Sequence, residues 1–600
     1  MKETKMAPET PRPILAEKPK GGLVTMPFVI ANEAFEKVAS YGLVQNMIFY
    51  LMKDYHIGLA KGANILFLWS AATNFTPVIG AFVSDSYVGR FFTIVLGSFC
   101  SLAGTMLLWA TAMIPKARPP VCDVMKTTCR KASSSQMALL YSSFALISVG
   151  AGGVRPCSIA FGADQLDDKT NTQNDRVLES FFGWYYASSA AAVLFAFTGI
   201  VYIQDRMGWK IGFGVPAIFM FFSLFLFLAA SPLYIKLKSS RSMLASFVYV
   251  PVAAYRNRNL PFPENDQSYN AVKNSSFAKP SNGLRFLNKA CVIGSSASND
   301  LPLSTWKLCT VDQVEELKAL IRAIPIWSTG IMLSINTSQS TFPILQASSM
   351  DRHVTRNFKI PAASFSMFTV IALGLWVVLY DRVILPSASR LRGKPVRISV
   401  KVRIGVGLLL SFLAMVVSGA VENVRRRRAV AEGLLNNPLG VVQMSAMWLV
   451  PQYCLHGLAE AFNAIGQTEF YYSEFPKSMS SIAACLCGLG MAVANLLASV
   501  ILKAVHTVTS REGRESWVSD NLNRGRYDSY YWLLAVMSAM NVPYFLLCSW
   551  TYGPCKNEEQ LVKEEVVSGN GDKGNHEGWP LKSMSTLVGK GAMGEDTPKN

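Results

Sequence analysis

Apolar residues in this chain gather into long runs separated by short polar breaks. Windows of about twenty mostly apolar residues, enough to cross a bilayer as a helix, predict spans at 25–52, 63–84, 91–114, 137–161, 180–203 and 211–235. A polar stretch follows, and then spans at 316–346, 361–381, 401–421, 440–470, 480–505 and 530–551. The expectation is an all-α membrane protein with twelve transmembrane helices in two six-helix bundles, 25–235 and 316–552. Residues 236–315 carry ten Lys or Arg residues, the proline-bearing PFPENDQSYN and a Ser/Asn-rich run. They predict a basic cytoplasmic linker with one amphipathic piece from Trp306 to Leu320. Residues 1–24 and 553–600 predict cytoplasmic tails, the second disordered by its polar Gly/Lys/Glu-rich composition.

An even number of spans places both termini on one side. The basic linker and the basic 382–403 connection share that side, which the positive-inside rule makes cytoplasmic. The basic 115–131 loop and the RRRR run at 425–428 fall outside and oppose this vote.

Composition agrees with the pattern. Half of the 600 residues are hydrophobic and 16% are charged, against about a quarter in soluble domains. The net charge of +18 sits mainly in the connections, which suits an anionic bilayer face and argues against a nucleic-acid partner. The first apolar stretch follows a polar tail, is too long for a cleavable signal and lacks a small-residue cleavage site, so it reads as a retained span. Eleven cysteines show no CxxC or Cys/His metal spacing, and five histidines are scattered. No metal and no cofactor is expected. Cys122 and Cys129 flank a polar loop and are a candidate disulfide, with two free thiols the equally open alternative. No nucleophile triad or ATP-binding loop is visible, so an enzyme is not expected. GAGGV at 150–154 has no strand–turn–helix context and reads as close helix packing.

The first span contains NEAFEKVASYG, residues 32–42. On a helix Glu33, Glu36 and Lys37 share one face. Each charge costs roughly 2.5–3.5 kcal/mol at the bilayer centre, so three unpaired would cost about 8–10 kcal/mol. The face must therefore meet a polar interior. Its charges read as a titratable cluster, with a static ion pair as the structural alternative. Two carboxylates sharing one lysine leave one under-compensated and open to a proton. Arg155 is the one basic residue in its span and Glu460 lies in another; intramembrane charges are functional-site candidates. Between spans two and three, Gly80, Asp85, Gly89 and Arg90 form GxxxxDxxxGR.

That loop resembles the motif of the major facilitator superfamily. ExxEK resembles the ExxER signature of the proton-coupled oligopeptide transporter family, including its plant nitrate/peptide branch. GGVRPCSIAFGADQLD (152–167), ESFFGWYY (179–186), WKLCTVDQVEELKALIRAIPIW (306–327) and AEAFNAIGQTEFYYSEFPKSM (459–479) carry the resemblance along nearly the whole chain.

The resemblance implies a proton-coupled symporter with alternating access. Its first reading is low-affinity nitrate uptake or redistribution in a plant, at the plasma membrane or else the vacuolar membrane. Small peptides, hormones such as abscisic acid or gibberellin, and glucosinolate-like anions are the alternatives. A nutrient sensor on a transporter scaffold is the alternative of another class. The implied partners are protons, a small anion, the bilayer and a regulatory kinase. Glu33, Glu36 and Lys37 take the proton-coupling positions, with lysine replacing the usual arginine and its bidentate fork. Arg155 and Glu460 fall where the family has a pair joining the two bundles in some conformations. Thr93 matches a phosphorylated threonine of a plant nitrate transporter, though an ordinary helix threonine is the preferred reading. Asn336 falls at a position where that transporter has a histidine that contacts the anion, and so marks the expected substrate pocket. Ala190 and Ala192 replace an Asn and a Gly common in the family.

Overall fold

The structure, a computed structural model, describes residues 21–120, 122, 130–166, 174–237, 246–262, 269–270, 279–293, 306, 308–393, 398–476, 479–511 and 515–555. Cys129 and most of both predicted tails lie outside the described residues.

The first six rods are α1 (Met26–Gln45) continued by α2 (Met47–Lys53), α3 (Leu59–Val83), α4 (Arg90–Met113), α5 (Ser134–Leu166), α6 (Asn174–Phe195) continued by α7 (Val201–Met207), and α8 (Trp209–Ala229). The linker region adds α9 (Ser246–Arg256). The second six are α10 (Val311–Ser338) with α11 (Thr341–Ser348), α12 (Met367–Leu379) with α13 (Leu385–Arg392), α14 (Val400–Ala431), α15 (Val450–Glu474), α16 (Ser480–Thr509) and α17 (Tyr527–Tyr552). Among the described residues ten helices are long and apolar enough to cross a membrane. The two predicted spans not among them are α1–α2 and α15. The first holds four charges, Glu33, Glu36, Lys37 and Lys53, and breaks at Asn46. The second is diluted by Gln452, His456, Glu460, Asn463 and Gln467. Both helices that fall short carry candidate charges, Glu33, Glu36 and Lys37 on the first and Glu460 on the second.

Close approach within the first half rests on glycine. A Cβ on Gly80 of α3 would lie 1.8 Å from the Gly152 carbonyl oxygen of α5. One on Gly153 would lie 2.7 Å from the Gly97 Cα of α4. The GAGGV stretch is therefore a packing surface. At the C-terminal end of α5, Gln165 clamps the entry and exit of the first half. Its side chain accepts from the Ile235 N–H at 2.7 Å and its carbonyl accepts from Gly22 N–H at 2.7 Å.

The two halves meet at the end away from the linker. One apolar cluster there joins Leu43, Met47 and Leu66 to Phe342, Leu502 and Tyr530. The described parts of the linker region pack beneath the second half, where Val250, Leu287 and Cys291 join Val311, Val314 and Leu317.

Four expectations need correction. The piece over 306–320 is not separate: Thr310 and Gln313 form a reciprocal capping box, so Val311 begins the long α10. The span expected at 440–470 starts ten residues late, because Val442–Ser445 is β4, paired in parallel with β1 (Met350–Asp351). A hairpin of β2 (His353–Thr355) and β3 (Phe358–Lys359) follows β1. The span expected to end at 421 runs to Ala431, and Gly433 with φ +69° ends it. The RRRR run is thus helical, not a loop.

Candidate functional site

Glu33, Glu36 and Lys37 lie on α1 with both glutamates buried. Lys37 Nζ stands 3.3 Å from Glu33 Oε1, one turn away. Arg155 Nε, on α5, stands 3.4 Å from Glu36 Oε1. Ser40 donates to the same oxygen at 2.6 Å. Tyr41 is shared by both cations: Lys37 Nζ lies 5.7 Å and the Arg155 guanidinium 5.8 Å from its ring centroid, within cation–π range. Buried Tyr185 of α6 stands beside Glu33.

This arrangement changes the charge count. Two acids sharing one lysine would leave a carboxylate exposed to burial cost. Arg155 supplies the second cation, so the cluster is neutral, two against two. Hydrogen bonding remains incomplete. Among the described residues, Glu33 Oε2, Glu36 Oε2 and Arg155 Nε are buried without a hydrogen-bond partner. Coulomb attraction at this separation is about 5 kcal/mol at an effective dielectric of 20. The pairs are held by charge more than by directed bonds, so one proton on a carboxylate removes most of what holds its cation.

The structure does not bring Arg155 to Glu460. Arg155 faces Glu36, and among the described residues no ion pair or hydrogen bond reaches Glu460 on α15. Nor does Asn336 join the cluster. It is 2% exposed on α10 and spends both amide hydrogens on Ser411 (2.9 Å) and Ser538 (2.8 Å). Those bonds tie α10 to α14 and α17 and leave no amide hydrogen for an anion.

In the 80–90 loop, Asp85 lies on a wider helical turn and Gly89 has φ +82°, a conformation natural only to glycine. Arg90 stands 3.9 Å from Asp85 but 2.6 Å from Asp164. Asp164 was in the quoted GADQLD stretch; only the fold reveals its partner. Thr93 is 6% exposed and donates to the Gly89 carbonyl at 2.9 Å, so in this conformation its hydroxyl is closed to a kinase. Cys122 is disulfide-bonded; its expected partner Cys129 lies outside the described residues. Ser40 and Tyr41 were missed, although each sits one turn beyond Glu36 and Lys37, a spacing present in the sequence.

A twelve-rod helical protein with a charged cluster inside its first half has the architecture of a membrane transporter. The profile of the POT family, PTR2, matches residues 91–518. The chain is 58% identical over 592 residues to Protein NRT1/PTR FAMILY 1.2 of Arabidopsis thaliana, covering 97% of this chain and 96% of that one. It is 60% identical over 568 residues to NRT1/PTR FAMILY 1.1 of the same plant, covering 93% and 95%. A crystal structure of an auto-inhibited POT family peptide transporter aligns with TM-score 0.64 at 19% identity, over 88% of this chain and 98% of that one. A POT family transporter in complex with 5-aminolevulinic acid aligns with TM-score 0.60 at 15% identity, over 89% and 99%. The chain belongs to the POT family, whose fold and membership are those of transporters.

Proposed function

We propose that this chain is a proton-coupled symporter of a small anion, nitrate foremost, at the plasma membrane. The observation that carries the reading is the pair of buried Glu36 and partly exposed Arg155 inside a neutral, incompletely hydrogen-bonded cluster. A proton on Glu36 leaves Arg155 a partly enclosed cation without its counter-charge, an unfavourable state in a low-dielectric interior. An anion arriving at Arg155 relieves that cost. Proton and anion therefore bind cooperatively, each raising the affinity for the other by the same factor. The loaded cluster is neutral again, as the empty one is, so both states can pass through the same rocking of the halves 25–235 and 316–552. With Glu36 protonated and no anion present, Arg155 is free to seek Glu460, which pairs the halves in another conformation.

Stoichiometry decides the driving force. One proton with one anion is electroneutral. A second proton, on Glu33, adds about 2.3 kcal/mol per 100 mV of inside-negative potential. Glu460 favours a second reading. An acid in the second half that is unpaired among the described residues and a cation in the first suit a zwitterion such as a small peptide.

The test is an uptake and current screen in oocytes with nitrate, dipeptides and plant hormones, each in acidic and near-neutral baths. Nitrate uptake that rises with acidity supports the first reading. Acid-driven dipeptide uptake without nitrate uptake moves the substrate to the second. Nitrate uptake insensitive to both pH and voltage ends the coupled account.

A further inference from the structure

Leu59 opens α3, and this helix start has no side-chain cap of its own. The missing acceptor comes from the other half of the molecule. Asp520, in the connection between α16 and α17, accepts the Leu59 N–H through Oδ1 at 2.5 Å. Gly58 makes room for it: a Cβ there would fall 2.9 Å from both Asp520 carboxylate oxygens. A carboxylate at a helix start is doubly favoured, as an acceptor for an orphan N–H and as an anion at the positive end of the helix dipole. One turn further along α3, Asn64 accepts from Ser499 of α16.

The loop that presents Asp520 is itself anchored. Tyr527 donates to the Ser519 carbonyl at 2.7 Å. Arg425 donates to Asn523 Oδ1 at 2.8 Å and to the Leu522 carbonyl at 3.2 Å. Arg426 donates to the Gly525 carbonyl at 3.0 Å. Asn523 in turn donates to the Asn437 carbonyl at 3.0 Å. The arginine run of α14 thus grips this loop from beneath.

We infer that Asp520 is the latch of the gate at the end away from the linker: a residue of the second half that caps a helix of the first and must let go before that end can open. A cap within one half would be carried along by any rocking motion. A cap supplied across the interface is broken by it, so its strength sets how much of the population is closed at this end. Gly58 and the Arg425-anchored loop are the fixed parts; the Asp520–Leu59 bond is the part that opens. This rests on the transporter reading only for its consequence, because the latch itself does not involve the Glu36 cluster.

The test is oxidative cross-linking of an Asn64→Cys/Ser499→Cys pair in membranes, with each single cysteine variant as control for native thiols. In the otherwise unaltered chain the pair should cross-link rapidly. Adding Asp520→Ala should lower the closed-to-open ratio by roughly fivefold, the shift that loss of a helix cap corresponds to, and slow cross-linking accordingly. Gly58→Ala, which displaces the carboxylate and leaves Asp520 in place, should slow it in the same direction. Equal membrane levels of all variants check folding. The readout needs neither substrate nor a proton gradient, so a failure of the coupling proposal is told apart from a failure of the latch. Unchanged cross-linking in both Asp520→Ala and Gly58→Ala would overturn the latch.

Discussion

Two ion pairs inside this membrane protein, one fully buried and one with its arginine partly exposed, are built on opposite terms. On α14, Glu422 and Arg425 are both fully enclosed. All five guanidinium hydrogens of Arg425 are engaged, on Glu422, Ser349, Asn523 and the Leu522 carbonyl. Glu422 also accepts from Gln346 at 2.7 Å. On α1 and α5, Glu36 and Arg155 meet at 3.4 Å with a carboxylate oxygen and the Arg155 Nε left without hydrogen bonds. The difference teaches how to read a charge inside a membrane helix. A pair whose every donor and acceptor is used has one arrangement and serves as a lock. A pair with unused polar atoms pays for burial without full return, so a proton or a ligand can redistribute it.

Breaking the lock should have the largest effect. Arg425→Met or Glu422→Gln strands a fully buried partner and should cost about 3–5 kcal/mol. Thermal unfolding in detergent should show a large drop in melting temperature and in monodisperse yield. Melting at the wild-type temperature would mean that the α14 pair is dispensable. Next comes packing that neither pair supplies. Gly80→Ala forces α3 from α5, and overpacking of this kind costs about 1–3 kcal/mol, visible in the same melts. Thr93→Ala removes one hydrogen bond, about 1 kcal/mol. Intact protein mass after kinase treatment of the folded chain should show no phosphate that Thr93→Ala eliminates. The smallest effect is expected from Lys37→Arg. It keeps the charge beside Glu33 and adds a fork, so acid-driven uptake should change by less than about twofold, well under 1 kcal/mol. A much larger gain would place Lys37 inside the switch rather than beside it.

Much of this comparison could be seen in the chain. The spacing of Glu33, Glu36 and Lys37 alone puts them on one face, and the cost of burial turns that face inward. The glycines of GAGGV at 150–154 read as packing, which the interhelix distances bear out. The partners could not be read. Glu36 and Arg155, Arg90 and Asp164, and Leu59 and Asp520 are joined by tertiary folding, and local spacing has no access to it. The lock was misread for a different reason. An apolar window ends where four arginines begin, yet a helix ends where its backbone must turn. No proline intervenes between Val400 and Pro438, and Gly433 marks the stop. Glu422 and Arg425 stand three residues apart within that uninterrupted stretch, a pairing signal that the hydropathy window concealed.

The central claim is that Glu36 carries the coupling proton and controls Arg155. The most direct measurement compares wild type with Glu36→Gln in membranes for two modes: nitrate accumulation driven by an acid-outside gradient, and nitrate exchange with no gradient. Glutamine keeps the shape and holds the cluster in its protonated-like charge state. The account predicts that accumulation and its pH dependence are lost while exchange persists. Accumulation by Glu36→Gln at the wild-type rate, with the wild-type pH dependence, would contradict it.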